Sequence, residues 1–244
     1  MESPTFDHLQ IWKQKPVLRA LYKNYFERII DNCGAGPTVE IGSGVGAFRD
    51  TLGADLVSLD IQPFPWSDLA ADAQFLPFCD ESVGNLVLID TLHHIEFPVR
   101  FLEEAQRVLR TGGRIVMIEP AITPLSWPVY KYLHDEDVDC ACDPFRNGQP
   151  DSGKNPFAAN QAIPTLMFVR QADAFRRLFP GLSLVKAENF SLYSYVLSGG
   201  FQKWHLLPLS LLNAALSLER ILETVFARFF GFRIFIVIEK AGPG

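Results

Sequence analysis

Residues Thr38 to Asp60 read TVEIGSGVGAFRDTLGADLVSLD, and the order of residue types in that stretch decides the fold. A short apolar run ends at Ile41, three glycines alternate at 42, 44 and 46, and a second apolar run closes on Asp60. Glycine has no Cβ, so it accepts positive φ and lets another group come close to bare backbone. A strand, a glycine turn, a short helix and a second strand ending in an acid form the start of a mononucleotide-binding βαβ unit. There the acid accepts hydrogen bonds from a ribose diol. The stretch is read as a nucleoside cradle, with Glu40, Gly42, Ser43, Gly44, Gly46, Asp60 and the adjoining Ile61 as its candidate contacts.

Two ligand classes fit such a turn. Gly42, Gly44 and Ala47 satisfy the G-x-G-x-x-G/A dinucleotide fingerprint, which also expects an acid about 20 residues further on. Against a pyrophosphate stands Glu40, a carboxylate two residues before the first glycine, which favours a cationic ligand group. An acid followed by G-x-G-x-G resembles the first motif of the class I S-adenosylmethionine-dependent methyltransferases. A second match follows: Leu92 to Ile95 (L-H-H-I), a helix-compatible segment, then VLRTGGRIVMIEP from Val108 to Pro120. Together these favour a methyltransferase over a nicotinamide enzyme. The motif matches span residues 38–120.

The resemblance implies one α/β domain over residues 1–244, a doubly wound, Rossmann-like sheet of seven mostly parallel strands ordered 3-2-1-4-5-7-6 with the last antiparallel. It implies S-adenosylmethionine as cofactor. Ala71-Asp72-Ala73 followed by Leu76-Pro77-Phe78 resembles the family's D-A-x-x-L-P-F stretch. By that likeness Asp72 would bond the adenine amino group, for which a carboxylate is a suitable acceptor, and Ala73 would donate its backbone N–H to the ring.

Composition narrows the partners. With 48% hydrophobic and 12% aromatic residues the chain is a packed globule. A formal charge of −6 lacks the basic excess that nucleic-acid binding draws on, so small molecules are the expected acceptors. Cys33, Cys79, Cys140 and Cys142 show no zinc-finger spacing. Reduced thiols and an N-terminus without an apolar signal core point to a cytoplasmic protein. The apolar run Leu206–Leu218 is too short for a bilayer span, which takes about 20 residues.

Periodicity predicts a helix over 16–31, a buried strand over Asn85–Asp90, a helix from Pro98 to Arg110 stopped by Gly112, and a strand over Arg114–Glu119. Ligands in open α/β sheets sit beyond the carboxyl ends of the strands, which directs Asp90, Thr91, His93 and His94 to the site. Phe6, His8 and Trp12, ahead of the first helix, are placed to lean over the cleft. Residues 120–164 hold seven prolines and are read as a long irregular lid that meets the acceptor. Its cluster Tyr130, Tyr132, His134, Asp135, Glu136, Asp137, Asp139 and Asp143 suits a solvated face, a base or a cation, and no metal site is assigned from it. A helix over Phe168–Phe179 and strands over Leu182–Ala187 and Arg233–Glu239 complete the pattern.

Between those last strands lies an apolar insertion, 190–232, where the family normally has a tight antiparallel pair. From Leu209 to Phe226 the polar positions Ser210, Asn213, Ser217, Arg220 and Thr224 fall at helical spacing. The broad apolar remainder suits packing on the domain, a homodimer seam, or peripheral membrane contact over 205–230. The expected activity is methyl transfer to a small molecule, at a hydroxyl or activated carbon of a lipid-like or saccharide metabolite. His94 and His134 are the candidate bases, with His93 the fallback, because imidazole titrates near neutral pH. The alternative from another class is a methyltransferase-like fold that binds without catalysis.

Overall fold

The structure is a computed structural model that describes residues 4–52, 56–151 and 153–242. Its strands are β1 (Thr38–Ile41), β2 (Leu56–Asp60), β3 (Leu69–Ala70), β4 (Val83–Ile89), β5 (Leu109–Pro120), β6 (Leu182–Phe190) and β7 (Arg233–Lys240). They pair in the order β3-β2-β1-β4-β5-β7-β6. All pairs are parallel up to β5; β7 lies antiparallel to both β5 and β6. This is the expected doubly wound sheet with its reversed final strand.

Two apolar layers sandwich it, and side-chain alternation along the strands assigns residues to each. Ile115 and Met117 of β5 and Ile234, Ile236 and Ile238 of β7 face one layer. Val116, Ile118, Phe235 and Val237 face the other. The first layer is covered by α4 (Pro98–Val108) and α7 (Ala172–Leu178), through Phe101, Leu102 and Phe175. The second is covered by α2 (Pro16–Ile30), opened by proline at its first position. Leu18, Leu21 and Ile29 of α2 are wholly buried, each stabilising the fold by about 1.5–3 kcal/mol. The short helices are α1 (Pro4–Gln14), α3 (Arg49–Leu52), α5 (Ser126–Leu133), α6 (Ile163–Thr165) and α8 (Ser194–Ser198); α9 (Leu209–Phe230) is the long one.

Several boundaries differ from the sequence reading. The helix after β4 ends at Val108 rather than Arg110, and β5 begins at once with Leu109. Gly112, with φ of 73°, therefore turns the start of a strand rather than stopping a helix. The segment expected as a helix from Phe168 begins earlier, at Ile163, and passes through a π-helical turn, Leu166–Arg170, before α7. The lid is irregular as its prolines require, yet it includes α5 and has a core of its own around Tyr130, Val138, Ala162 and Leu166.

The apolar insertion departs further. Helix α9 buries Leu212, Leu216, Glu219 and Ala227, a single narrow stripe. Leu209, Leu211, Leu218, Ile221, Val225 and Phe226 stand exposed. Packing against the domain thus covers only part of the apolar surface. Both of its acids turn inward: Glu219 accepts the backbone N–H groups of Tyr193 and Ser194, and Glu223 that of Ser191.

Candidate functional site

The cradle forms where β1 and β2 end. Gly42, Gly44 and Gly46 have φ of 73°, 50° and 73°, a region costly to residues with a Cβ. Their surroundings differ. A Cβ on Gly42 would strike Thr91, and one on Gly46 would strike Trp66, whereas at Gly44 it would meet only the Gly42 carbonyl oxygen, at 4.0 Å. Two of the three glycines thus make room for the protein's own side chains, and Gly44 leaves room for a ligand. Trp66 donates its indole N–H to the Gly44 carbonyl (2.8 Å) and stacks on Phe64. Phe6 packs edge-on against both rings, so α1 does lean over this end of the cleft.

Asp60, almost buried, accepts backbone N–H bonds from Gly44 and Gln62, each 3.0 Å. These hold its carboxylate at the mouth of the turn, and exposed Ile61 follows it. Glu40 projects from β1 beneath the turn. Burial pushes its carboxyl up to about 8, the Arg49 guanidinium opposes this, and the charge of Asp60 adds to it. Glu40 Oε2 and Ser43 Oγ are both buried and lack a hydrogen-bond partner among the described residues. Buried polar atoms are normally bonded, so these two are free to bond a polar ligand. Buried oxygens, a glycine with space above it and a buried acid at the second strand's end suit the amino-acid and ribose parts of S-adenosylmethionine. Asp72 is partly engaged already: its carboxylate accepts the backbone and side-chain N–H groups of Gln74, capping the turn that contains buried Ala73.

The second half of the site lies beyond β4 and β5. Asp90 has φ of 52°, a strained value for a residue with a Cβ. Arg233, fully buried at the start of β7, grips both oxygens of Asp90, one contact being 2.6 Å, and Tyr22 donates a further bond (3.2 Å). The guanidinium also lies over the Tyr195 ring, 3.9 Å from its centre. Asp90 is therefore at the site as expected, but its charge is spent on an arginine that the sequence reading did not assign.

Glu119, the last acid of β5, is wholly buried and organises the loop after β4. One oxygen accepts the backbone N–H groups of Thr91 and Leu92 (2.8 Å each), and the other meets His93 Nδ1 at 2.6 Å. The opposite nitrogen of His93 faces Glu136 of the lid at 3.3 Å. Burial opposes a charge on His93, but the two carboxylates outweigh it and raise its pKa to about 10. That makes it a poor proton acceptor near neutrality. His94 lies against it, ring centres 4.3 Å apart, with Nε2 at 3.6 Å from Glu136. Burial and the neighbouring His93 lower its pKa to about 4, so it is neutral near pH 7. His134 completes the group through Gln161, whose amide contacts His134 Nδ1 (2.9 Å) and Glu136 (2.8 Å). All three histidines chosen from sequence thus converge on Glu136, which was noted only as one acid in a run. His8 of α1 stacks on Phe201 and lies near enough to feel the charge of Glu136.

Comparison with known proteins agrees with this geometry. Residues 39–117 match a family model described as a methyltransferase domain. An uncharacterized protein of Methanocaldococcus jannaschii is 29% identical over 104 residues, 40% of this chain and 51% of that one. The chain thus spans about half the length of that curated relative. Among solved structures, a SAM-dependent methyltransferase of Thermotoga maritima superposes with a TM-score of 0.54, 16% identity and coverage of 97% and 98%. One from Archaeoglobus fulgidus gives 0.53, 16%, 91% and 94%, and the [4+2]-cyclase SpnF gives 0.52, 13%, 90% and 82%. The glycine cradle and the sheet order thus agree with the match of residues 39–117 to a methyltransferase domain.

Proposed function

We propose that the protein transfers a methyl group from S-adenosylmethionine to a small-molecule acceptor at a hydroxyl or an activated carbon. The observation that carries this reading is the pair of unpartnered buried oxygens, Glu40 Oε2 and Ser43 Oγ, beside the open face of Gly44. In this reading they receive the ammonium-bearing end of the cofactor, Asp60 its ribose, and Ala73 with Asp72 its adenine. The bound sulfonium supplies an electrophilic methyl group. What the chain must add is alignment of the acceptor, which lowers the barrier by several kcal/mol through orientation, and removal of a proton. His94 is neutral near pH 7 and partly open, and Glu136 beside it stabilises the positive charge it gains on accepting a proton.

The acceptor is proposed to carry an apolar portion delivered from a lipid surface. Support comes from α9: its exposed side holds Ile221, Val225, Phe226, Phe229 and Phe230 with Arg220 and Arg228, while its acids face inward. The amide of Leu125, beside exposed Trp127 on α5, bonds to the Phe229 carbonyl, so the lid adjoins this face. No helix among the described residues is long and apolar enough to cross a membrane; contact would be interfacial.

Because the same fold also houses a cyclase, cofactor binding and turnover need separate measurement. Calorimetry with S-adenosylmethionine should give one site per chain, and S-adenosylhomocysteine should form when polyprenyl-linked or glycolipid acceptors are supplied. Binding without release on any acceptor supports the non-catalytic alternative. Co-sedimentation with neutral and anionic vesicles, lost in a Phe226→Ser, Phe229→Ser variant, tests the lipid contact; equal recovery of both proteins with vesicles refutes it.

A further inference from the structure

We infer that His93, His94 and Glu136 form a binding site for one divalent transition-metal ion, with Glu119 and Gln161 as its outer support. The donor atoms come from two places distant in sequence, the loop after β4 and the lid, and all lie within 4.8 Å of one another. Two ligands about 2.1 Å from an ion at the tetrahedral angle stand about 3.4 Å apart. His93 Nε2 lies 3.3 Å from Glu136 Oε2, and His94 Nε2 lies 3.6 Å from Glu136 Oε1, so the carboxylate spans the two rings with one oxygen toward each. The two histidine donors lie within 4.8 Å of each other, and the His94 ring, which is 22% exposed, has room to rotate toward an ion.

The outer contacts are those a ligating histidine uses. A metal-bound imidazole normally gives its second nitrogen to a carboxylate, which fixes tautomer and ring direction. His93 Nδ1 meets wholly buried Glu119 at 2.6 Å, and that carboxylate is itself fixed by two backbone N–H groups. In the ion-free protein His93 Nε2 meets a Glu136 oxygen at 3.3 Å as a hydrogen-bond donor. A divalent cation takes the place of that proton, which leaves to solvent, and is held by both groups. Its double charge balances the two carboxylates that flank His93. Glu136 is steadied from behind by the amide of Gln161, itself 1% exposed. Two imidazoles and one carboxylate suit zinc, cobalt, manganese or ferrous iron rather than magnesium or calcium, which prefer all-oxygen sites. His93 is buried whereas His94 and Glu136 are partly open, so the vacant positions face the cleft, where an oxygen of an acceptor can coordinate.

With an ion bound, His94 Nε2 is a ligand and no longer a base, so the metal site is an alternative to the proton transfer proposed for His94, and its test uses metal alone. Untagged full-length protein, stripped with chelator and free of cofactor, is titrated with Co2+, followed by visible absorption, and with Zn2+, followed by calorimetry. The expected result is one ion per chain, with cobalt bands of low-coordinate geometry. Glu136→Gln and His94→Ala should each weaken binding by about 100-fold, and Glu119→Gln by about 10- to 100-fold, with thermal unfolding of the stripped variants close to that of the parent. His94 and Glu136 are part-exposed, so these two variants carry the test if Glu119→Gln does not fold. No cobalt spectrum and no zinc heat at millimolar metal, or unchanged affinity in folded Glu136→Gln, overturns the inference. A hydrogen-bonded imidazolium would then bridge the carboxylates instead.

Discussion

Glu40 offers the sharpest test of the cradle, because its environment ties cofactor affinity to pH. Burial holds its carboxyl near 8 in the ligand-free protein, so the fraction ionised is about one in a hundred at pH 6 and about one in ten at pH 7. A ligand bearing an ammonium and a sulfonium favours the carboxylate. Binding at pH 7 should therefore release roughly 0.9 of a proton, and affinity should rise about tenfold, or 1.4 kcal/mol, from pH 6 to pH 7. Above that range the α-amino group of the ligand begins to titrate, so the comparison is confined below about pH 7.5. Calorimetry of S-adenosylmethionine in buffers of different ionisation heat measures both quantities, and Glu40→Gln should abolish both. The raised pKa also means that the ligand-free fold binds this proton more tightly than the unfolded chain. Its stability should fall as pH rises through that window, and Glu40→Gln should gain on the parent at pH 8 and not at pH 5. Cofactor binding with no proton release and no slope in affinity would refute the assignment of Glu40 to the ligand.

Asp60→Ala should weaken cofactor binding by about 1–3 kcal/mol through loss of charge-assisted hydrogen bonds, measured by the same calorimetry; unchanged affinity removes Asp60 from the ribose. Asp90→Asn leaves buried Arg233 without its counter-charge and should lower unfolding stability by about 3 kcal/mol, read from urea midpoints. An Asp90→Asn, Arg233→Met pair should recover much of that loss. His94→Ala should reduce turnover by about 100-fold with cofactor affinity near that of the parent, and a matching fall in both would make His94 structural.

The cradle was legible because its signal is local: glycines at 42, 44 and 46 and an acid at 60 act within one βαβ unit. The sheet order followed from the family likeness. Side-chain pairs brought together by the fold were not legible. Glu119 meets His93 across 26 residues and Arg233 meets Asp90 across 143. Signals for them existed, since Glu119 follows the apolar run Ile115–Ile118 and Arg233 precedes the apolar run Ile234–Ile238, positions where a charge has to find a partner. In α9 the polar spacing marked solvent correctly at Ser210, Asn213 and Thr224. Only Leu212, Leu216, Glu219 and Ala227 went inside, because the sheet edge and α2 offer room for a single row.

The grip of Arg233 on Asp90 has a temporal side. A nascent chain completes the glycine turn, β4 and the lid long before it makes β7, yet among the described residues β7 is the only strand that β6 pairs with, and it is the source of the cation that steadies Asp90. Residues 38–164 can gather early, but the cleft acquires its fixed charges only as synthesis nears its end, so a ribosome-bound intermediate should capture the nucleoside poorly until Arg233 has emerged.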